Sequence, residues 1–466
     1  MDIFRVESDS IGEREVPADA YYGIQSLRAK ENFPITGQSM HPEMIKSLAY
    51  LKKACALANM RAGILSDEKG RAIMKACDLI IDGMYHDQFI VDPIQGGAGT
   101  SMNMNANEVI ANIANELLGA KLGDYSVIHP NDHVNKGQST NDVIPTAGKM
   151  TVIALLGGLE KSLGALYEAF SKKAVEFDNI LKMGRTQMED AVPIRLGQEF
   201  KAYASATKRG LERIKKYEIE MHFVNMGGTA IGTGINADQA YFDSIAGILS
   251  EVTGTEYIQS EDLIDATQNI DCFASISSAL KDCALTLSKI ASDLRLMGSG
   301  PKTGFGEITL PAKQNGSSIM PGKVNPVIPE VVNQVAYRIV GNDVSIAFAV
   351  EAGQLELNAF EPVVFYSLFQ SIDILKNAVD TFITNCIEGI IANEKHCEEL
   401  LEQSVGIVTA LNPYIGYTAS AKLAKKALST GIPIRKLVLE EGILTEEQME
   451  KIMDPYRLTK PGVDEI

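Results

Sequence analysis

The sequence predicts a mainly all-α protein built on a central bundle of long helices. From residue 273 the apolar positions are Phe273, Ile276, Leu280, Cys283, Leu287, Ile290, Leu294 and Met297. That alternating three-four spacing is a heptad seam sustained along one long helix. A second run reads Phe200, Tyr203, Thr207, Leu211, Ile214, Tyr217, Met221, and a third Leu368, Ile372, Leu375, Val379, Phe382, Cys386. Segments 143–175 and 328–357 carry the same period, which makes about five long helices between 143 and 391.

Narrow apolar seams on long helices need partner helices, and near-parallel bundle packing supplies them. Val363, Val364 and Phe365 beside Leu368 widen the apolar surface past one seam. That excess predicts burial on a second side, through oligomerisation. The flanks differ. Residues 1–142 hold shorter helical patterns broken by glycine-rich and polar loops. Residues 392–466 hold short ones, such as 415–428 and 444–453, separated by Gly and Pro. Three domains follow: 1–142, a bundle over 143–391, and a small C-terminal domain over 392–466.

Size and charge narrow the function classes. At 466 residues, 45% hydrophobic and 22% charged, the chain can bury a large core. Its net charge of −17 repels a phosphate backbone, so nucleic acid is not expected as a partner. The N-terminus has no apolar signal region, and no apolar run reaches membrane-span length without charge. Six cysteines are scattered without a CxxC pair, as in a cytoplasmic protein with buried reduced thiols.

Familiar cofactor signatures fail. Residues 316–323 have five residues between the glycines of a phosphate loop, and Val324 stands where Ser or Thr would bind magnesium. The stretch GGTAIGTG from Gly227 to Gly234 follows no clear strand. Six dispersed histidines argue against a zinc site.

Three polar, glycine-rich loops remain: Gly96–Asn107, His133–Asp142 and Gly316–Pro326. Glycines let backbone N–H groups approach an anion, and hydroxyl and amide side chains add donors. One such loop is ordinary turn and capping chemistry; three in one chain suit a small anionic ligand. The third loop pairs Ser317 and Ser318 with Lys323 and Asn325. Lys323 can hold a carboxylate and Asn325 can donate beside it. Composition leaves open whether the serine is nucleophile, base or ligand.

The loop GSSIMPGKVNP (316–326) resembles the signature of the aspartase/fumarase superfamily. So do AYYGIQSLRAKENFPITG (20–37), FIVDPIQGGAGTSMNMNANEVIAN (89–112), HVNKGQSTND (133–142), GRTQMEDAVPIRLGQEF (184–200) and SVGIVTALNPYIGY (404–417), in the family's order. The resemblance implies a three-domain fold whose bundles join into a twenty-helix core in a homotetramer, with active sites shared between subunits. It implies β-elimination giving fumarate through an aci-carboxylate dianion, with no required cofactor and no catalytic metal; an activating divalent metal stays open. By resemblance Ser317 is the base. Thr100, Ser139, Thr140 and Ser318 hold the β-carboxylate, Thr186, Lys323 and Asn325 the α-carboxylate, and Asn141 and Gln187 face the amino group.

Gln187 stands where fumarases usually carry His. An amide that only orients an ammonium suffices when ammonia leaves, whereas hydroxide needs an acid. The resemblance therefore implies elimination of ammonia from L-aspartate. The alternatives are hydration of fumarate, a lyase of a related substituted succinate, or a non-catalytic assembly protein with the same fold. Asp142 and Glu330 are nearby carboxylates, Glu330 read as structural or orienting. Lys136, Gly137 and Lys302 depart from the common pattern, and His129 and His133 are read as structural.

Overall fold

The computed structural model describes residues 4–463, of which helix is the dominant element, at 62% against 8% strand. Strands β1 (Phe4–Asp9) and β2 (Gly12–Pro17) form an antiparallel hairpin. Helices α1 (Ile24–Asn32), α2 (Pro42–Arg61), α3 (Asp67–Ile81) and α4 (Thr100–Leu117) follow. The 37-residue α5 (Thr140–Glu176) leads into a second antiparallel hairpin, β3 (Leu181–Thr186) and β4 (Glu189–Arg195), and then α6 (Leu196–Glu218). Strands β5 (Phe223–Val224) and β6 (Ile258–Gln259) pair in parallel on either side of α7 (Gln239–Thr253). Next come α8 (Asp265–Gln268), α9 (Asp271–Met297), β7 (Ile308–Thr309), α10 (Val327–Glu351) and α11 (Glu361–Asn385). Strand β8 (Ile391–Ala392) pairs with β7, and short helices between Glu394 and Leu458 close the chain.

All five expected long helices are present, as α5, α6, α9, α10 and α11. The eight seam residues of α9 are all buried, as are the five of α11 and Cys386 just beyond its end. Helix α5 contains a window apolar enough to cross a membrane, but 67% of that window is buried inside the protein. Its apolar surface is core.

By packing, the chain divides into two compact units: residues up to Leu159 with Glu212–Asp282 and Arg338–Ile374, and Glu160–Leu211 with Cys283–Tyr337 and the chain from Leu375 onward. In the first unit α2 packs on α3 and α7. Buried polar pairs set the helix registers there. Thr151 donates to Ser47 at 3.0 Å between α5 and α2. Ser277 and Lys281 of α9 both donate to Asp343 of α10, at 2.7 and 2.6 Å. Glu108 of α4 accepts from the N–H groups of Gly23, Gln25 and Ser26, so a carboxylate from one helix caps the open N-terminus of another.

In the second unit Phe170 of α5 meets Phe200 and Tyr203 of α6 and Phe382 of α11, with ring centroids 5.8–6.3 Å apart. Asn333 of α10 donates to the Ser288 carbonyl and hydroxyl of α9, both at 2.8 Å. The C-terminal helices enclose their own core of Leu401, Ile407, Leu411, Leu423, Val438 and Met449, which also packs on Met183 of β3.

Two local features differ from the sequence expectation. Loop one stops at Gly99, and residues from Thr100 onward are helix. Its polar composition hid a buried helix in which Asn103, Asn105 and Asn107 are all nearly inaccessible. The β3–β4 hairpin turns through Gln187 and Met188, both at positive φ (56° and 68°). Two-residue hairpin turns with two positive φ values match strand twist and favour Asn-Gly, which this sequence lacks.

A non-glycine residue in the left-handed region costs about 1–2 kcal/mol, partly offset in a glycine variant by a more flexible unfolded chain. Met188→Gly is therefore expected to stabilise the protein by about 0.5–1 kcal/mol. A lowered thermal midpoint in that variant would show that the Met188 side chain, and not the turn geometry, dominates.

Candidate active site

In the first unit the start of α5 gathers three of the expected residues. Asp142, fully buried, accepts from the Ser139 N–H at 2.9 Å, Thr229 N–H at 3.1 Å and Gly227 N–H at 3.3 Å. Asn141 donates its amide to Ala230 O at 2.7 Å, and Asn225 donates to Asn141 O at 3.0 Å. The first turn of α5 is thus pinned to the loop 225–230. A two-residue strand, β5, does precede GGTAIGTG, where the sequence shows none clearly. The N–H groups of that glycine-rich loop point at Asp142, an anion the protein itself supplies.

These contacts have chemical consequences. With its NH2 group committed to Ala230, Asn141 keeps Oδ1 as an acceptor suited to an ammonium. Burial pushes the Asp142 pKa up to about 6, against the pull of its three N–H donors and of Lys52. Ser139 Oγ accepts from the Asn141 N–H at 3.2 Å. Thr140 Oγ1 accepts from Asn103 Nδ2 at 3.3 Å. Thr100, in the first turn of α4, donates to Gly97 O at 2.7 Å and is exposed.

His133 Nδ1 accepts from the His129 N–H, and His129 Nδ1 from the N–H groups of Asn131 and Asp132. Both imidazoles hold the turn Pro130–Val134. Burial and the neighbouring Lys69 ammonium lower the His133 pKa. Gly137 sits at φ 71°, a left-handed conformation that explains glycine at this departure from the family pattern.

The second unit holds the signature loop and the hairpin. Gly316 N–H donates to Lys323 O at 2.9 Å and Asn325 donates to Gly316 O at 2.7 Å, closing the loop on itself. A Cβ on Gly316 would lie 2.6 Å from Lys323 O, so only glycine fits. Ser317 Oγ accepts from the Ile319 N–H at 3.2 Å and the Met320 N–H at 3.0 Å. Two N–H groups aimed at one hydroxyl oxygen stabilise negative charge there. Ser318 and Lys323 are exposed.

Thr186 and Gln187 are exposed at the hairpin turn. Just before them, Arg185 pairs with the fully buried Glu307 at 2.7 Å and lies over the Phe305 ring at 4.3 Å. Lys182 stands 3.4 Å from the same carboxylate. This cluster fixes the strand that presents Thr186. Glu330 lies 3.6 Å from Arg295. Among the described residues no three His, Cys, Asp or Glu side chains group as metal ligands.

Sequence reasoning missed the residues behind Thr140: Asn103, Asn135, Gln138 and Lys52. A signal for Lys52 existed, because it falls on the helical face of Leu48, Cys55 and Asn59, all buried.

Comparisons with known proteins identify the family. The family model described as "Lyase" matches residues 12–341, and that described as "Fumarase C C-terminus" matches 407–460. An aspartate ammonia-lyase of a Bacillus species is 55% identical over 98% of this chain and 98% of the relative. That of Escherichia coli K12 is 47% identical over 98% of this chain and 96% of the relative. A crystal structure titled fumarate lyase:delta crystallin from Brucella melitensis, bound to cobalt, superposes with a TM-score of 0.96 at 47% identity, covering 98% of this chain and all of that one. A class II fumarase from Schistosoma mansoni gives 0.93 at 33% identity over 98% and 99% of the two chains. With matches of this length over both the bundle and the C-terminal segment, the chain belongs to the aspartase/fumarase superfamily of lyases.

Proposed function

We propose that this chain is an aspartate ammonia-lyase that reversibly eliminates ammonia from L-aspartate to give fumarate. One observation carries the reading: relatives that match it end to end at 47–55% identity bear that name. The side chains supply a consistent chemistry. Ser317, with two N–H groups on Oγ, is suited to act as an alkoxide base on the carbon beside the β-carboxylate. The C–H bond breaks, its proton passes to Oγ, and the electron pair spreads into the carboxylate as an aci-carboxylate.

Thr100, Ser139, Thr140 and Ser318 would bind that dianion, which carries more charge than the substrate carboxylate and so gains more from each donor. Thr186, Lys323 and Asn325 would hold the α-carboxylate. Asn141 Oδ1 and Gln187 would accept from the ammonium. As the pair returns to form the double bond, the C–N bond breaks and neutral ammonia leaves with its electrons. No acid is required, which is the chemical sense of an amide at 187.

In this scheme no step is assigned to a cofactor. A homotetramer is supported by apolar side chains left in solvent on α10: Tyr337, Val344 and Phe348 are 65%, 51% and 72% exposed. Six free cysteines, five of them buried, suit a reducing cytoplasm.

Purified protein given L-aspartate should raise fumarate absorbance in the ultraviolet, with matching ammonia release. Fumarate from L-malate alone would instead establish a hydratase. Ser317→Ala should lower kcat by about 10²–10⁴-fold, the usual worth of a positioned base, while succinate still binds; a variant with full activity removes Ser317 from the mechanism.

The Asp142 clamp generates a pH prediction. Its folded pKa is raised from 3.8 to about 6, so the fold binds this proton more tightly than the unfolded chain does. Stability from this group therefore falls as pH rises from 3.8 to about 6. Activity should rise over the same window, because only the carboxylate accepts all three N–H groups. Asp142→Asn should erase the acid limb of kcat/KM near pH 6; an unchanged limb in that variant assigns it to another group.

A further inference from the structure

Among the charged groups that the mechanism leaves unused is a buried lysine. Lys52, on α2, is 0% exposed. Its ammonium donates to Asn103 Oδ1 at 2.7 Å, Gln138 Oε1 at 2.8 Å and Asn135 Oδ1 at 2.9 Å. All three protons are therefore spent on neutral amides, an unusual way to house a buried cation. Burial pulls its pKa down to about 8, which leaves it charged at neutral pH.

We propose that Lys52 is a positioning residue for the elimination: it sets the direction of a hydrogen-bond relay that turns the Thr140 hydroxyl proton toward the substrate carboxylate. The proposal rests on the assignment of Thr140 to the β-carboxylate.

The reasoning is one of direction. An ammonium can only donate, so every amide that touches Lys52 must offer its oxygen and turn its NH2 group elsewhere. Asn103 then donates from Nδ2 to Asn135 Oδ1 at 3.2 Å and to Thr140 Oγ1 at 3.3 Å. Asn107 donates to the same Asn135 oxygen at 3.2 Å, and Asn135 Nδ2 to Gln138 O at 3.2 Å. Gln138 Nε2 reaches Val134 O and Lys136 O at 3.0 and 3.1 Å. None of the three amides that touch Lys52 can flip without placing an NH2 group against the ammonium.

The chain of donors ends at Thr140. Its oxygen already receives a proton from Asn103, so its own O–H points away from the network, free to donate to an anion. Without the charge at 52, the Asn103 amide can flip. Its oxygen would then draw the Thr140 proton inward, and the β-carboxylate would lose a donor where negative charge grows.

The test is a double-mutant cycle in the full-length protein. Lys52→Met removes the ammonium. Asn103→Asp keeps an oxygen for Lys52 and a counter-charge, but removes the donor to Thr140; it covers the case in which Lys52→Met does not fold. Thr140→Val removes the hydroxyl. Each of the first two should lower kcat/KM for L-aspartate by about 10- to 100-fold, the value of a hydrogen bond to a charged group. Combined with Thr140→Val, each should add little to the loss from Thr140→Val alone.

Wild-type kcat/KM in Lys52→Met and in Asn103→Asp would overturn the relay. So would losses that multiply in the double variants, since a purely structural role acts independently of the Thr140 hydroxyl. The substrate assignment fails separately, if the wild type makes no fumarate from L-aspartate. In that case the same cycle is read from succinate affinity by calorimetry, where non-additive losses uphold the relay and additive ones overturn it.

Discussion

A 27-residue helix such as α9 carries an apolar seam that only other helices of similar length can cover. That constraint organises the molecule. It puts α5, α6, α9, α10 and α11 into bundle packing. It leaves the polar and glycine-rich segments at helix ends, where Thr100, Ser139, Ser317 and their neighbours are found. It also forces side chains such as Asn333, Asn342 and Ser162 to find partners between helices, because a buried polar atom without one is costly. Those pairs fix helix registers, which apolar seams alone specify poorly.

The loops are held by buried charges used as directional anchors. Asp142 can only accept when ionised, so the backbone N–H groups of Ser139, Gly227 and Thr229 converge on it. Lys52 can only donate, so three amide oxygens converge on it. Glu307 anchors the β3 end in the same manner through Arg185 and Lys182. Each charge is costly to bury, and each gives its surroundings a single hydrogen-bonding pattern. For a site that must bind a growing negative charge, fixed donors are worth more than donors that reorient.

The β3–β4 hairpin and the signature loop carry a local cost of the opposite kind. The hairpin turn holds Gln187 and Met188 at positive φ, and the signature loop leaves Ile319 83% exposed. Neither improves folding. Both leave polar side chains, Thr186 and Gln187 in one and Ser318 and Lys323 in the other, open to solvent.

The sequence by itself determined the helical class, the long seams and the loops that carry Ser139–Asn141 and Ser317–Asn325. These follow from periodicity and residue type, which are local. It hid the first turns of α4, where buried asparagines read as loop, and the β3–β4 turn, which lacks its usual residues. It showed Asp142 as a carboxylate near a site but not as the anchor of the 225–230 loop. Its helical face marked Lys52 as a candidate for burial, but not which groups would receive its ammonium, while the adjacent Lys53 pairs with Asp78 at 2.6 Å. Only the tertiary structure decided these points. A charged side chain takes its role from the donors and acceptors that distant segments bring to it, and no local pattern encodes their direction.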